Sequence, residues 1–309
     1  MREPAIASAT AVVVVILLAA RSRLHLFVRS VLTEEELHDA FIFAAAVLVV
    51  LPLMPNRYLG PWGAINPRTL WKIVVLIMSV SAAGHIAVRS LGARFGLPLA
   101  GFASGFASSA ATVATMGAKA KEQQSLAGPA TAGAVLSTIA TFIQLAILLQ
   151  ATSPAVLWAI KWPLAAVGTM AFIYGAVFTL KALKETPHQA VPPGSVFDLK
   201  VTVLVAATIA VVFLVSAFVN AKLGRRGLVI AAAAAGFGDA HASAVAMASL
   251  AVAGKISVHD AVLPIVAAAT TNTFTKTILA ITGGTRGFAA RVIPGLVLTI
   301  TALWVALLV

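Results

Sequence analysis

The stretch GFGDAHASAVAM, residues 236–247, lies inside a long apolar run and carries Asp239 and His241. A carboxylate at the centre of a membrane helix costs at least about 2.5–3.5 kcal/mol on insertion scales. Its place there demands a partner, a bound cation, a proton or a water-filled cavity, since a lone ionised aspartate in hydrocarbon takes up a proton instead. Whether the run is a membrane segment is decided by its surroundings. Of 309 residues, 60% are hydrophobic and 10% charged. A soluble domain carries about 25% charge, so the polar residues that would coat a large soluble core are missing.

Ten apolar segments follow along the chain, at about 5–20, 40–54, 69–90, 96–117, 126–150, 155–180, 199–219, 227–250, 258–282 and 287–309. Most approach the length that crosses a hydrocarbon core of ~30 Å. The expected fold is an all-α polytopic membrane protein of about eight to ten transmembrane helices. Thr33-Glu34-Glu35-Glu36 reads as a capping box opening the second segment. Asn66-Pro67 supplies a cap and a first-turn proline for the third. Trp62, Trp71, Trp158 and Trp162 fall near segment ends and read as interface anchors. Arg2 followed by an apolar run into Arg21 reads as an uncleaved first helix, because Leu18-Ala19-Ala20-Arg21 is a poor cleavage context.

The net charge of +12 does not indicate nucleic acid. Its basic residues, among them Arg57, Arg68, Arg89, Arg94, Lys222, Arg225 and Arg226, are scattered in short loops. That is the topogenic pattern of a polytopic membrane protein. The absence of cysteine excludes disulfides and thiolate sites. Loops for nucleotide phosphates, a serine nucleophile elbow and zinc-ligand spacings are also missing, so no enzyme, cofactor or ATP-driven pump is expected.

The chain resembles itself. A shift of 131 residues carries Gly105-Phe106 onto Gly236-Phe237, Ser108 onto Asp239, Thr112 onto Ser243 and Met116 onto Met247. Further on, a shift of 132 carries Thr138 onto Thr270, Thr141-Phe142 onto Thr273-Phe274 and Gln144 onto Lys276. The expected organisation is N-terminal helices over 1–60, a first membrane repeat over 61–180, a polar linker over 181–198 and a second repeat over 199–309. Such repeats are a common plan of secondary transporters. Segments 96–117 and 227–250, rich in Gly, Ala, Ser and Thr, are expected to be broken or re-entrant. Spanning segments would make the repeats parallel and re-entrant ones inverted; counting Lys and Arg by side does not choose.

Nine of the ten acidic residues are placed in loops or at segment ends, and Asp239 alone mid-segment. Its candidate partners are Lys276, which shares a helix face with Asn272, and His241. On an unbroken helix Asp239 and His241 would point about 200° apart. A break at Gly236 and Gly238 would let both face one cavity. Thr273 and Thr277 form a neighbouring polar row, and His85 is a further ionisable group within a segment. The first half offers Ser108, Ser109, Thr112 and Thr115 at the matching place. Each has a bland alternative: a structural Asp239–Lys276 ion pair, a Lys276 that snorkels, a core His241, a packing His85, or small residues that let helices approach.

The stretches GPWGAINPRTLWKIVVLIMSVSAAGHIAVRSLGARFGLPLAGFASGFASSAATVATMGAKAKE, AAGFGDAHASAVAMASLAVAGKIS and TTNTFTKTILAITGG resemble the membrane family called domain of unknown function 4010. The likeness covers about residues 35–285. The resemblance implies that Ser108, Ser109, Thr112, Asp239, Ala240, Asn272, Thr273 and Lys276 occupy the family's polar motif positions. It also implies an association with an MgtC/SapB-type domain. Only one apolar segment precedes residue 35, so a complete domain of that type is not expected. The first box reads Ser-Ser-Ala-Ala-Thr where the family more often has Ser-Ser-Thr-Ala-Thr.

The expected function is a secondary transporter or ion-coupled permease of a prokaryotic inner membrane. Ser108, Ser109, Thr112, Asp239, His241, Asn272, Thr273 and Lys276 would bind a small polar solute or ion, with protons as a candidate coupling ion. The lipid bilayer is the expected partner, and a homo-oligomer is compatible with the sequence. The alternative is a regulatory or assembly subunit held together by a structural Asp239–Lys276 pair.

Overall fold

The computed structural model describes residues 33–60, 65–91, 96–185 and 199–309, with isolated positions in 5–20. The rest of the first apolar segment, residues 186–198 of the polar linker and Trp62 lie outside the described residues. The chain runs through α1 (Glu34–Leu53), α2 (Pro67–Leu91), α3 (Gly96–Glu122), α4 (Ala127–Thr152) and α5 (Pro154–Glu185). It continues through α6 (Leu199–Gly236), α7 (Ala240–Val252), α8 (Val258–Gly283) and α9 (Arg286–Leu308). Among the described residues there is no strand beyond one isolated bridge between Leu59 and Ile65.

Local signals start these helices where expected. Thr33 Oγ1 accepts from Glu36 N at 3.2 Å while the Glu36 carboxylate accepts from Thr33 N at 2.9 Å, a closed capping box. Asn66 Oδ1 accepts from the N–H groups of Arg68 and Thr69, with Pro67 at the first helical position. The capping box moves the start of α1 forward to Glu34, which corrects the placing of the acidic residues. Glu36 and Asp39 lie inside the helix and are buried. Glu36 Oε1 stands 3.3 Å from His85 Nε2 on α2, so His85 has an acidic partner. Trp71 is also tied inward, its Nε1 donating to the Ala46 carbonyl at 2.8 Å. Trp158 and Trp162 stand exposed, with Lys161 Nζ 4.1 Å from the Trp158 ring centre.

Seven helices among the described residues are long and apolar enough to cross a membrane. Large apolar side chains such as Phe172, Ile173 and Leu180 on α5, Val211 and Phe218 on α6, and Val297 and Val305 on α9 face outward. Aliphatic and aromatic side chains laid outward along several helices suit a lipid environment, where a soluble protein would place charge. The interior is built on α4 and α8. Nearly every residue of α4 from Pro129 to Leu145 is buried. α4 packs on α3, α5 and α7, while α8 packs on α3, α6, α7 and α9. α8 is too polar to count among the seven spans. Its threonines are satisfied locally: the hydroxyls of Thr270, Thr273 and Thr277 donate to the carbonyls of Val266, Ala269 and Thr273, one turn back.

Three helices depart from straight runs. α3 is interrupted at Ser108, which is extended at φ −162°, ψ 105°. α6 bends at Gly224, where φ +57° and ψ −146° suit glycine alone. The segment expected at 227–250 is two helices, Arg226–Gly236 and α7, parted at Asp239.

Candidate functional site

The Arg226–Gly236 helix ends when Gly238 N and Asp239 N both donate to the Ala235 carbonyl at 3.0 Å. Asp239 is then extended, at φ −159° and ψ 122°, and caps α7. Its carboxylate accepts from His241 N at 3.0 Å and Ala242 N at 3.1 Å. These are the N–H groups that a helix start leaves without partners, and the positive end of the helix dipole favours the carboxylate there. The same break turns His241 back toward its neighbour: Nδ1 lies 2.8 Å from Asp239 Oδ1. The expected break therefore does bring the two side chains together. Its glycines work differently from the expectation, since neither Gly236 nor Gly238 has a positive φ. Gly236 instead lets α8 come close, because a side chain there would collide with Ala268 and Thr271.

The other ring nitrogen, His241 Nε2, lies 3.1 Å from the Thr141 main-chain carbonyl on α4. His241 thus stands between the Asp239 carboxylate and the Thr141 carbonyl, with one ring nitrogen toward each. The Asp239 side chain remains 30% exposed.

Thr141 also meets Lys276. From α8, Lys276 Nζ donates to Thr141 Oγ1 at 2.9 Å, and the residue is 1% exposed. Lys276 therefore does not snorkel. Nor does it pair directly with Asp239; among the described residues the link between them runs through His241 and Thr141. Asn272, one turn before Lys276, and Gln144, one turn after Thr141, are also buried. Neither makes a side-chain hydrogen bond among the described residues. Thr273 is buried too, and its hydroxyl is bound to its own helix at Ala269.

The first polar box stands apart. Ser108 Oγ accepts from Ala111 N at 3.2 Å, capping the second half of α3. Thr112 Oγ1 donates to the Ser108 carbonyl at 2.8 Å and lies 2.9 Å from Ser104 Oγ. Ser109 is buried beside them. No hydrogen bond joins Ser108, Ser109 or Thr112 to Asp239, His241 or Lys276. Among the described residues no group of three His, Cys, Asp or Glu could hold a metal ion. Thr141 and Gln144 are the site residues that sequence reasoning passed over. They appeared there only as matches in a repeat, and a main-chain carbonyl carries no sequence signal.

Fold and site together define an all-helical membrane protein with a polar centre among buried helices. The chain belongs to the family described as Domain of unknown function (DUF4010), whose model matches residues 75–284 and so contains the whole of that centre. No curated protein and no solved structure matches the chain.

Proposed function

We propose that this protein is a secondary transporter, an ion-coupled permease of a prokaryotic inner membrane. It is built from two repeats, each with a broken helix, and its site for a small polar solute or ion lies at the repeat interface around Asp239, His241, Thr141 and Lys276. The observation that carries this reading is the pair of matched breaks. Ser108 and Asp239 are 131 residues apart and adopt the same extended backbone. Each accepts a hydrogen bond from the backbone of the residue three further on, Ala111 and Ala242. Close approaches keep the same spacing: a Cβ at Gly105 would meet Ser137 and Ala140, and one at Gly236 would meet Ala268 and Thr271. Two broken helices, with a buried lysine and an Asp239–His241 contact at the second break, are the kind of parts from which coupled carriers build a solute site.

The reading is tested with purified protein in liposomes loaded with a pH-sensitive dye. Gradients of a panel of organic and inorganic salts are imposed, and proton movement is followed. A solute-dependent proton flux that Asp239→Asn abolishes, with that variant still monodisperse on gel filtration, supports a carrier. The rival reading, a structural subunit, gains no support from a direct Asp239–Lys276 pair, because the two groups are bridged. It would win if the variant failed to fold while the double variant Asp239→Asn, Lys276→Gln folded, and no salt drove flux.

A further inference from the structure

We propose that Lys161, set between Trp158 and Trp162 near the start of α5, binds the phosphate of an anionic phospholipid headgroup. At about 1.5 Å of rise per residue, Lys161 and Lys181 stand about 30 Å apart along α5, the thickness of a hydrocarbon core. No charged residue lies between them, and Phe172, Ile173, Val177 and Leu180 face outward over that span. Each lysine therefore marks one edge of the apolar layer, and the face of α5 between them meets acyl chains. Lys161 is also the only charged residue between Glu122 and Lys181 in the sequence. No carboxylate pairs with it among the described residues.

The Lys161 ammonium lies 4.1 Å from the Trp158 ring centre and 5.3 Å from that of Trp162. It leans to the ring nearer the helix start, and so out of the apolar layer toward the headgroups. Both indoles are exposed, and neither N–H makes a hydrogen bond among the described residues. One ammonium and two indole N–H groups are donors for phosphate oxygens, and the rings hold the ammonium in place before a lipid arrives. Charge chooses the headgroup. A quaternary ammonium headgroup could use these rings only by approaching Lys161, a like charge. A headgroup of net negative charge meets no such repulsion, and its acyl chains can lie along the outward face of α5.

The test is native mass spectrometry of the full chain in detergent, titrated with dioleoyl phosphatidylglycerol or dioleoyl phosphatidylcholine. The tightest phosphatidylglycerol adduct should form more readily than any with phosphatidylcholine. Lys161→Gln should weaken that adduct about fivefold, the effect of one lysine on an anionic headgroup, and leave phosphatidylcholine binding unchanged. Its unfolding midpoint in lipid-free detergent should match wild type. Lys161→Arg should keep the adduct, and the double variant Trp158→Leu, Trp162→Leu should weaken it. Lys181→Gln removes the same charge at the other edge of the layer and should have no effect on it. The wild-type comparison of the two lipids needs no variant, so it decides the matter even if a variant does not fold. Equal binding of the two lipids, equal losses in Lys161→Gln and Lys181→Gln, or displacement of phosphatidylglycerol by inorganic phosphate would each overturn the proposal.

Discussion

Lys276 Nζ and the Thr141 hydroxyl, 2.9 Å apart, join α8 to α4 in the buried interior of the molecule. The hydroxyl passes its own hydrogen to the Ser137 carbonyl at 3.1 Å, so its lone pairs are turned toward the ammonium. Thr141→Val removes that acceptor and leaves the carbonyl that meets His241. The expected cost is about 1–3 kcal/mol, that of a buried charged donor left without a partner. Thermal unfolding in detergent measures it, and Thr141→Ser should restore most of the loss. A midpoint unchanged by the valine would mean that the contact contributes nothing.

Lys276→Met separates function from stability. A buried charge exchanged for an apolar side chain of similar length is often neutral or stabilising. The unfolding midpoint should therefore stay level or rise, while solute-driven proton flux falls to background. A variant that unfolds and regains stability only when Asp239 is also neutralised would point to a structural role.

The two jobs of Asp239 can be told apart. Asp239→Asn keeps an oxygen for the backbone N–H of Ala242 and should fold nearly as well as wild type. Asp239→Ala loses the cap of α7 and should be less stable by roughly 0.5–2 kcal/mol. Both should lose proton-coupled flux. Equal stability of the two variants would argue against the capping role.

At Gly236 a methyl group would run into Ala268 and Thr271 of α8, whereas at Gly168 on α5 it would meet nothing within 4 Å. Gly236→Ala should lower stability by roughly 1–3 kcal/mol through overpacking, with reduced yield in membranes. Gly168→Ala should match wild type. Similar behaviour of the two would remove the close approach of α8 as a feature of the fold.

Gly224 marks the bend in α6 with a backbone conformation that a side chain resists. Gly224→Ala should cost roughly 1–3 kcal/mol although open space surrounds the new methyl. The effect would be one of conformation alone, seen as a lower unfolding midpoint.

Much of this was legible from local chemistry. The helix starts at Glu34 and Pro67 follow from side chains within three residues of the cap. The break at Asp239 follows from a polar residue and two glycines in an apolar run. Less legible was the burial of Glu36 and Asp39, because hydropathy alone begins α1 too late. The direct Asp239–Lys276 pair was a natural expectation from opposite charges, and it is not made. A threonine from a third helix stands between them, and no residue pattern announces it.

By itself the sequence determined a bundle of membrane-length helices, their punctuation, and one carboxylate that had to find a partner. Hydropathy, capping and helix breaking act over a few residues, so they can be read along the chain. Only the tertiary structure decided that His241 meets the carboxylate, that Lys276 is sealed against Thr141, and that Asn272 and Gln144 make no side-chain hydrogen bond among the described residues. Those facts depend on which faces of α4, α7 and α8 meet. Helix crossing sets that arrangement over a hundred residues or more of separation.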